Sequence, residues 1–274
     1  MIVRTLLENT SLSAELGCEH GLSLHIETEG RRILFDTGRT GLFAENAGRM
    51  GVDLAAVDLL AISHGHSDHG GGIRTFLSRN ASAKIYVSRR AFGDYRLRTA
   101  GGESVYIGLD PELRGHPRLV PTDEHTVLGG GLELFSGVRG ERFNPSGNRV
   151  LLMKEGDRLG PDDFAHEQSL AVTEGGTSVL FAGCAHAGIL NILDRFHALK
   201  GFMPDHVFGG FHLTNPTDGT RETDETVDAI ADALLSTNAR FYTGHCTGSE
   251  VYERMKRRMG DRLHPIATGG VLVL

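Results

Sequence analysis

His64-Gly65-His66-Ser67-Asp68-His69, followed by Gly70-Gly71-Gly72, brings three imidazoles and a carboxylate into six residues. The run before it, Val57-Asp58-Leu59-Leu60-Ala61-Ile62, is short and apolar in the manner of a buried strand, so the six residues begin where a strand ends and the chain turns. Alternate side chains of an extended segment point the same way, which lets His64 and His66 grip one cation together. Asp68 and His69 follow the bend, where the loop can turn them toward a second position nearby. Imidazole and carboxylate at this spacing, between a strand and glycines, are donors suited to a metal. The bland alternative is a polar loop that is merely rich in histidine, and four ligand-type side chains in six residues weigh against it.

Outward from this loop, strand-like runs lie at residues 2–7, 22–28 and 33–35, the last running into Asp36-Thr37-Gly38, with a helical stretch at about 42–50. A helix is expected after Gly72 and a strand over 84–88. Such alternation points to sheets covered by helices. From about 89 to 165 the chain is rich in glycine, proline and charge, with short strand candidates at 104–108, 132–137 and 150–154. This stretch reads as part sheet and part insertion, either covering the mouth of a site or running over the surface. Regularity returns with paired strands at 169–173 and 178–182 around the turn Glu174-Gly175-Gly176. A helix at 188–199, a strand at 206–208 and a helix at 224–236 follow, the last with an acidic first turn that suits the helix dipole. A strand at 240–243, a helix at 249–259 and a final strand over 263–267 complete the pattern. No low-complexity linker divides the halves, so residues 1–274 are expected to form a single domain.

Three of the later strand ends also carry histidine: Ala182-Gly183-Cys184-Ala185-His186, Gly209-Gly210-Phe211-His212-Leu213 and Gly244-His245-Cys246-Thr247-Gly248. In each, glycine permits a sharp turn and close approach. A lone histidine is usually a surface or hydrogen-bonded core residue, but repetition of strand, glycine and histidine points to one shared site. His186 and His245 are therefore taken as further ligands. His212 either supports a ligand or touches substrate. Cys184 either ligates as thiolate or is a small buried residue. His166, which lacks glycine neighbours, is a weaker rival to His186. His20, His25, His116, His125, His197, His206 and His264 are read as ordinary histidines.

The chain of 274 residues is long enough for a substantial core. Its 28 basic and 35 acidic side chains leave a net charge of −7, which argues against nucleic acid or an anionic membrane as partner. No run approaches the ~20 apolar residues of a membrane span. The first residues, Met1 to Glu8, do not read as a secretory signal. Three widely spaced cysteines, Cys18, Cys184 and Cys246, fit a reducing cytoplasm better than a disulfide framework. A cytoplasmic protein with a small-molecule substrate is the expectation, its oligomeric state open.

The residues resemble the metallo-β-lactamase superfamily. The resemblance rests on Phe35-Asp36-Thr37-Gly38, the His64–His69 cluster, the glycine-ended strand near Gly183 and the late His245, and together these span most of the chain. It implies an α/β fold, a four-layer αββα sandwich with a partly irregular insertion in the middle, and a two-metal site at the sheet edges. The segments around Gly183–Ile189, Gly209–Leu213 and Gly244–Gly248 look like the subgroup named for 7,8-dihydropterin-6-methyl-4-(β-D-ribofuranosyl)aminobenzene-5′-phosphate synthase. One departure stands out: Cys184 takes the place where superfamily hydrolases usually carry an aspartate that bridges both metals. Asp36 carries over as a brace for the histidine loop.

The metal ligands so implied are His64, His66, Asp68, His69, Cys184, His186 and His245, holding two divalent ions, zinc first and iron or manganese as alternatives. The implied activity is hydrolysis of a small phosphorylated or ester-containing metabolite by metal-bound hydroxide. Asp68 would orient the nucleophile and shuttle its proton, and His212 would donate to charge developing on the substrate. Arg139, Arg142 and Arg149 are candidate clamps for a phosphate. Two other functions stay open: a synthase of the subgroup's kind, condensing an aromatic amine with a phosphoribosyl donor, and a non-catalytic metal- or pterin-binding protein.

Overall fold

The computed structural model describes residues 1–215 and 217–274. The chain begins with strands β1 (Ile2–Leu7), β2 (Ser23–Glu27) and β3 (Arg32–Phe35), which pair antiparallel. Helix α1 (Leu42–Arg49) then crosses to β4 (Leu59–Ala61), and a short helical turn α2 (Ser67–Gly70) with α3 (Ile73–Arg79) crosses to β5 (Lys84–Ser88). β3, β4 and β5 are parallel, as helical crossovers require. Next come β6 (Asp94–Arg98) and β7 (Ser104–Tyr106) of a separate sheet, and β8 (Leu119–Thr122), which returns to the first sheet beside β5. β9 (His125–Gly129) and β10 (Leu132–Phe135) open the second large sheet. β11 (Leu151–Glu155) and β12 (Arg158–Pro161) complete the small one.

The second large sheet repeats the plan of the first. β10 pairs antiparallel with β13 (Ser169–Glu174), and β13 with β14 (Thr177–Phe181). From there α4 (Ile189–Lys200), α5 (Asp224–Leu235) and α6 (Ser249–Met259) alternate with the parallel strands β15 (His206–Phe208), β16 (Arg240–Thr243) and β17 (Leu263–Pro265). β18 (Val271–Val273) crosses back to pair with β1, so the strand at 263–267 is not the last one. The reason is composition: Gly269-Gly270 separates a short run whose residues are largely exposed and carry little periodic signal.

Three apolar clusters define the layers. Val3, Leu24, Ile26, Phe35, Leu132, Leu170, Phe181 and Phe208 fill the space between the two seven-stranded sheets, with Phe208 stacked on Tyr242 at 4.4 Å. Leu34, Phe43, Ile73 and Phe76 seal α1 and α3 onto the first sheet. Leu180, Phe196, Val207, Ile230 and Met255 seal α4, α5 and α6 onto the second. The central strands of the two large sheets therefore bury one face against helices and the other against the opposite sheet. This is the four-layer αββα sandwich expected of the sequence. The middle of the chain is more regular than its glycine, proline and charge suggest: residues 94–98 and 158–161 pair into the small sheet, and 119–122 and 125–129 extend the large ones. No helix of the described residues is long and apolar enough to cross a membrane.

Candidate metal centre

Parallel strands end together at one rim, and their loops converge there. β3 delivers Asp36, β4 the run Ser63 to His69, β14 Cys184 and His186, β15 His212, and β16 His245. Convergence beyond the carboxyl ends of parallel strands is the usual place for a ligand in an open α/β sheet. The approach is close: a Cβ on Gly183 would lie 2.2 Å from Ser63 Oγ, so only glycine lets the two sheet edges meet here. Asp36, Ala185, His212 and His245 all adopt left-handed backbone (φ 62°, 57°, 49° and 50°), a strain that gathers at functional sites.

Hydrogen bonds fix which nitrogen of each ring faces inward. Asp36 accepts from Ser63 N–H (2.7 Å), from Ser63 Oγ–H (2.7 Å) and from His69 Nδ1 (2.6 Å). Having donated to Asp36, Ser63 Oγ accepts from His64 Nδ1 (2.9 Å). Asn148 grips His186 twice, donating to its carbonyl (2.8 Å) and accepting from Nδ1 (3.0 Å). Asn9 Oδ1 accepts from His245 Nδ1 (2.9 Å). Every one of these partners occupies Nδ1 and turns Nε2 inward, the arrangement of outer hydrogen bonds that orients metal-binding histidines.

Three of the inward nitrogens have no partner. Nε2 of His64, His66 and His186 is buried without a hydrogen-bond partner. Nε2 of His69 lies 3.2 Å from Nε2 of His245 and 3.1 Å from Cys184 Sγ. Two lone pairs at that distance repel unless a proton or a cation lies between them. The donors sort into adjoining groups whose atoms all lie within 4.8 Å of one another: His64, Cys184 and His186; His64, His66 and Asp68; Asp68, His69, Cys184 and His245. All seven expected ligands are thus gathered, with Cys184 common to two of the groups. Orphaned buried nitrogens around a carboxylate and a sulfur fit divalent cations.

Electrostatics agree with neutral donors on one side and anionic ones on the other. Burial, with neighbouring imidazoles, holds His64 and His186 well below the usual histidine range. Burial also opposes protonation of His69, but Asp36 and Asp68 carry it up to about 9. Burial would raise Asp68, yet His69, His20 and His245 hold its carboxylate well below the usual range.

The groups form the floor of a cavity of about 500 Å³. Its walls include Leu97, Val105, Tyr106, Ile107, Val150 and Leu151, so the small sheet and the segment before it cover the mouth.

A sequence model of the metallo-β-lactamase superfamily matches residues 16–245. The chain belongs to that superfamily. It is similar to an uncharacterised protein of Methanocaldococcus jannaschii, MJ0448, with 25% identity over 93% of this chain and 94% of that one. In the same organism, the protein named 7,8-dihydropterin-6-methyl-4-(β-D-ribofuranosyl)-aminobenzene-5′-phosphate synthase is 26% identical over 93% of this chain and 90% of its own. Among solved structures, Tm1679, described as a metal-dependent hydrolase of the β-lactamase superfamily, superposes with a TM-score of 0.82 at 25% identity, covering 100% of this chain and 99% of that one.

Within this superfamily fold some residues take other places than the sequence suggests. His166 is spent on both sides, with Nδ1 accepting from Gly65 N–H (2.9 Å) and Nε2 bonded to Asp162 (3.1 Å), so it braces the histidine loop from behind. Arg139 and Arg142 pair with Glu124 and Asp194, and Arg139 and Arg149 line a neighbouring cleft; Arg39 is the arginine that lines the cavity over the ligands. His20 is not ordinary. Its Nε2 lies 3.3 Å from Asp68 Oδ2, and its ring packs on His245 with centroids 4.5 Å apart. Asn9, Asn148, Asp162 and Glu167 give no sequence signal at all. Glu167 is buried and accepts from the backbone N–H of His186 (2.7 Å) and Ala187 (2.9 Å), which pins the second histidine loop.

Proposed function

We propose that the chain is a metal-dependent hydrolase of a small phosphorylated or ester-containing metabolite, holding two divalent cations, with zinc the preferred metal. The observation that carries the reading is the set of adjoining donor groups, His64, His66 and Asp68, then His64, Cys184 and His186, then Asp68, His69, Cys184 and His245, which share His64, Asp68 and Cys184 between them. Bound there, the cations would polarise the scissile bond and lower the pKa of water toward neutrality. The likeness to a solved metal-dependent hydrolase supports the same reading.

The chain's own residues supply the rest. Asp68 stays ionised and turns Oδ2 toward His20, His69 and His245, so it is placed to orient an attacking water by accepting its hydrogen bond. His20 Nδ1 faces the amide nitrogen of Asn9 at 3.3 Å, so Nε2 carries the hydrogen that meets Asp68 and holds the carboxylate in place. His212 lines the cavity, where its ring is placed to bond the substrate. The apolar wall from Leu97 to Leu151 excludes water and receives the non-reacting part of the substrate.

A second reading, a synthase of the kind named for the 26% identical relative, draws on that relative's coverage of 93% of this chain. One experiment separates them. Protein loaded with zinc is screened against phosphoesters, lactones and thioesters, with metal content measured alongside. Turnover that falls at least about a hundredfold in His66→Ala, together with lowered metal content, is expected. Metal bound at full stoichiometry with no hydrolysis across the screen would sink the hydrolase reading in favour of a synthase or a pterin-binding protein.

A further inference from the structure

Cys246 follows His245 in the same tight turn and is buried, 3% exposed, with Sγ 3.6 Å from the carbonyl oxygen of Cys184. Neither cysteine is in a disulfide. The two sulfurs and a ring nitrogen of His212 all lie within 4.8 Å of one another, and the three residues line the cavity. His212 is 7% exposed, and its Nδ1 has no hydrogen-bond partner. The backbone is shaped around the sulfur: a Cβ on Gly210 would lie 2.4 Å from Cys246 Sγ. Thr247 Oγ1 accepts from Phe211 N–H (3.0 Å) and meets Thr243 Oγ1 (2.6 Å), which ties the turn carrying Cys246 to the segment carrying His212.

We propose that Cys184, Cys246 and His212 form a third ligand set, two thiolates and one imidazole, for a thiophilic divalent cation such as zinc or cadmium. Three protein donors on the cavity wall leave a fourth position open, as in metal sites that bind small molecules. Packing alone explains two small buried sulfurs. It does not explain a buried imidazole nitrogen without a partner beside them, which is costly unless something binds it. Cys184 belongs to the imidazole groups as well, so its thiolate bridges the new set to the rest of the centre. Sulfur on this side biases the whole centre toward soft metals over magnesium or calcium. A cation on one nitrogen of His212 also polarises the remaining N–H toward the cavity. The inference goes beyond the hydrolase reading and holds whatever the chain turns over.

The test is spectroscopic. The full chain is loaded with cobalt(II), and the near-ultraviolet thiolate-to-cobalt charge-transfer absorption is read for wild type, Cys246→Ser and the double variant Cys184→Ser/Cys246→Ser. The band is roughly halved in the first and lost in the second, since its intensity follows the number of thiolates bound. An unchanged band in a folded Cys246→Ser protein overturns the proposal. In case that variant does not fold, cadmium-113 NMR of the unmodified chain decides: a resonance at the shift of a cation with two thiolates supports it. Resonances confined to shifts of cations with one thiolate or none overturn it.

Discussion

Asp36 serves two ligands with one carboxylate, holding His69 directly and His64 through Ser63 Oγ. Asp36→Asn keeps the shape but replaces one acceptor oxygen by a donor, so one of these rings loses its anchor. Metal affinity is expected to fall by about 10–100-fold, as for other outer partners of ligating histidines. Competition with a chromogenic chelator measures this, and an unchanged affinity would mean that the ligands orient themselves. His25 makes a prediction of the opposite kind, about a histidine with no site. It is buried in β2, neither ring nitrogen has a partner, and burial lowers its pKa to about 4. Unfolded, the ring takes up a proton near pH ~6.5; folded, it resists until about 4. Between these values the unfolded chain binds more protons, so stability falls as pH drops, by up to about 3 kcal/mol, and levels off below. Denaturant titrations of chelator-treated protein at several pH values should show a shallower acid loss in His25→Leu; equal slopes would mean that the buried ring already carries a proton. The contrast shows what the sequence reveals. His186, His212 and His245 could be found because each follows an apolar strand and glycine. His20 could not, because its meaning comes from Asp68, 48 positions away, across a loop without periodicity.

The elements that build the centre were legible because they are buried on both faces. β4, β14, β15 and β16 are short, largely apolar runs, the last three followed closely by glycine, and their residue ranges nearly coincide with those expected of the sequence. β6 and β12 were not. Asp94-Tyr95-Arg96-Leu97-Arg98 and Arg158-Leu159-Gly160-Pro161 bury little and alternate weakly, so their pairing is set by β11 between them rather than by their own pattern. Yet this sheet forms the outer wall of the cavity, with Val105 and Tyr106 of β7 48% and 40% exposed where they face it. Since β7 is an edge strand bonded on one side only, Val105→Asp is expected to leave folding and metal content intact. On a substrate found by the ester screen, it should raise KM by about tenfold with little change in kcat, because an apolar contact made equally in ground and transition states is lost. Unaltered KM would separate the small sheet from substrate recognition.

At the scale of the whole molecule, the centre joins two halves that repeat one plan. His64, His66, Asp68 and His69 hang from the first sheet, Cys184, His186 and His245 from the second, and the inter-sheet core lies beneath them. Without a cation, the rim where they meet holds lone pairs 3.2 Å apart, a repulsion relieved by protonating His69. A cation held by these donors would replace that proton and tie the two sheet edges together, and only the folded chain presents all the donors. Binding therefore adds to stability by mass action, about 2.7 kcal/mol when free metal stands a hundredfold above its dissociation constant. For a chain of this size, that raises the melting temperature by roughly 5–10 °C over chelator-treated protein. Differential scanning calorimetry with and without zinc reads the shift directly. His245→Ala, which removes a donor of the second sheet, should melt near the metal-free wild type without zinc and gain clearly less when zinc is added. A full shift in that variant would mean that the cations bind the first sheet alone and that the two halves are held together by their apolar core, with no contribution from the metal.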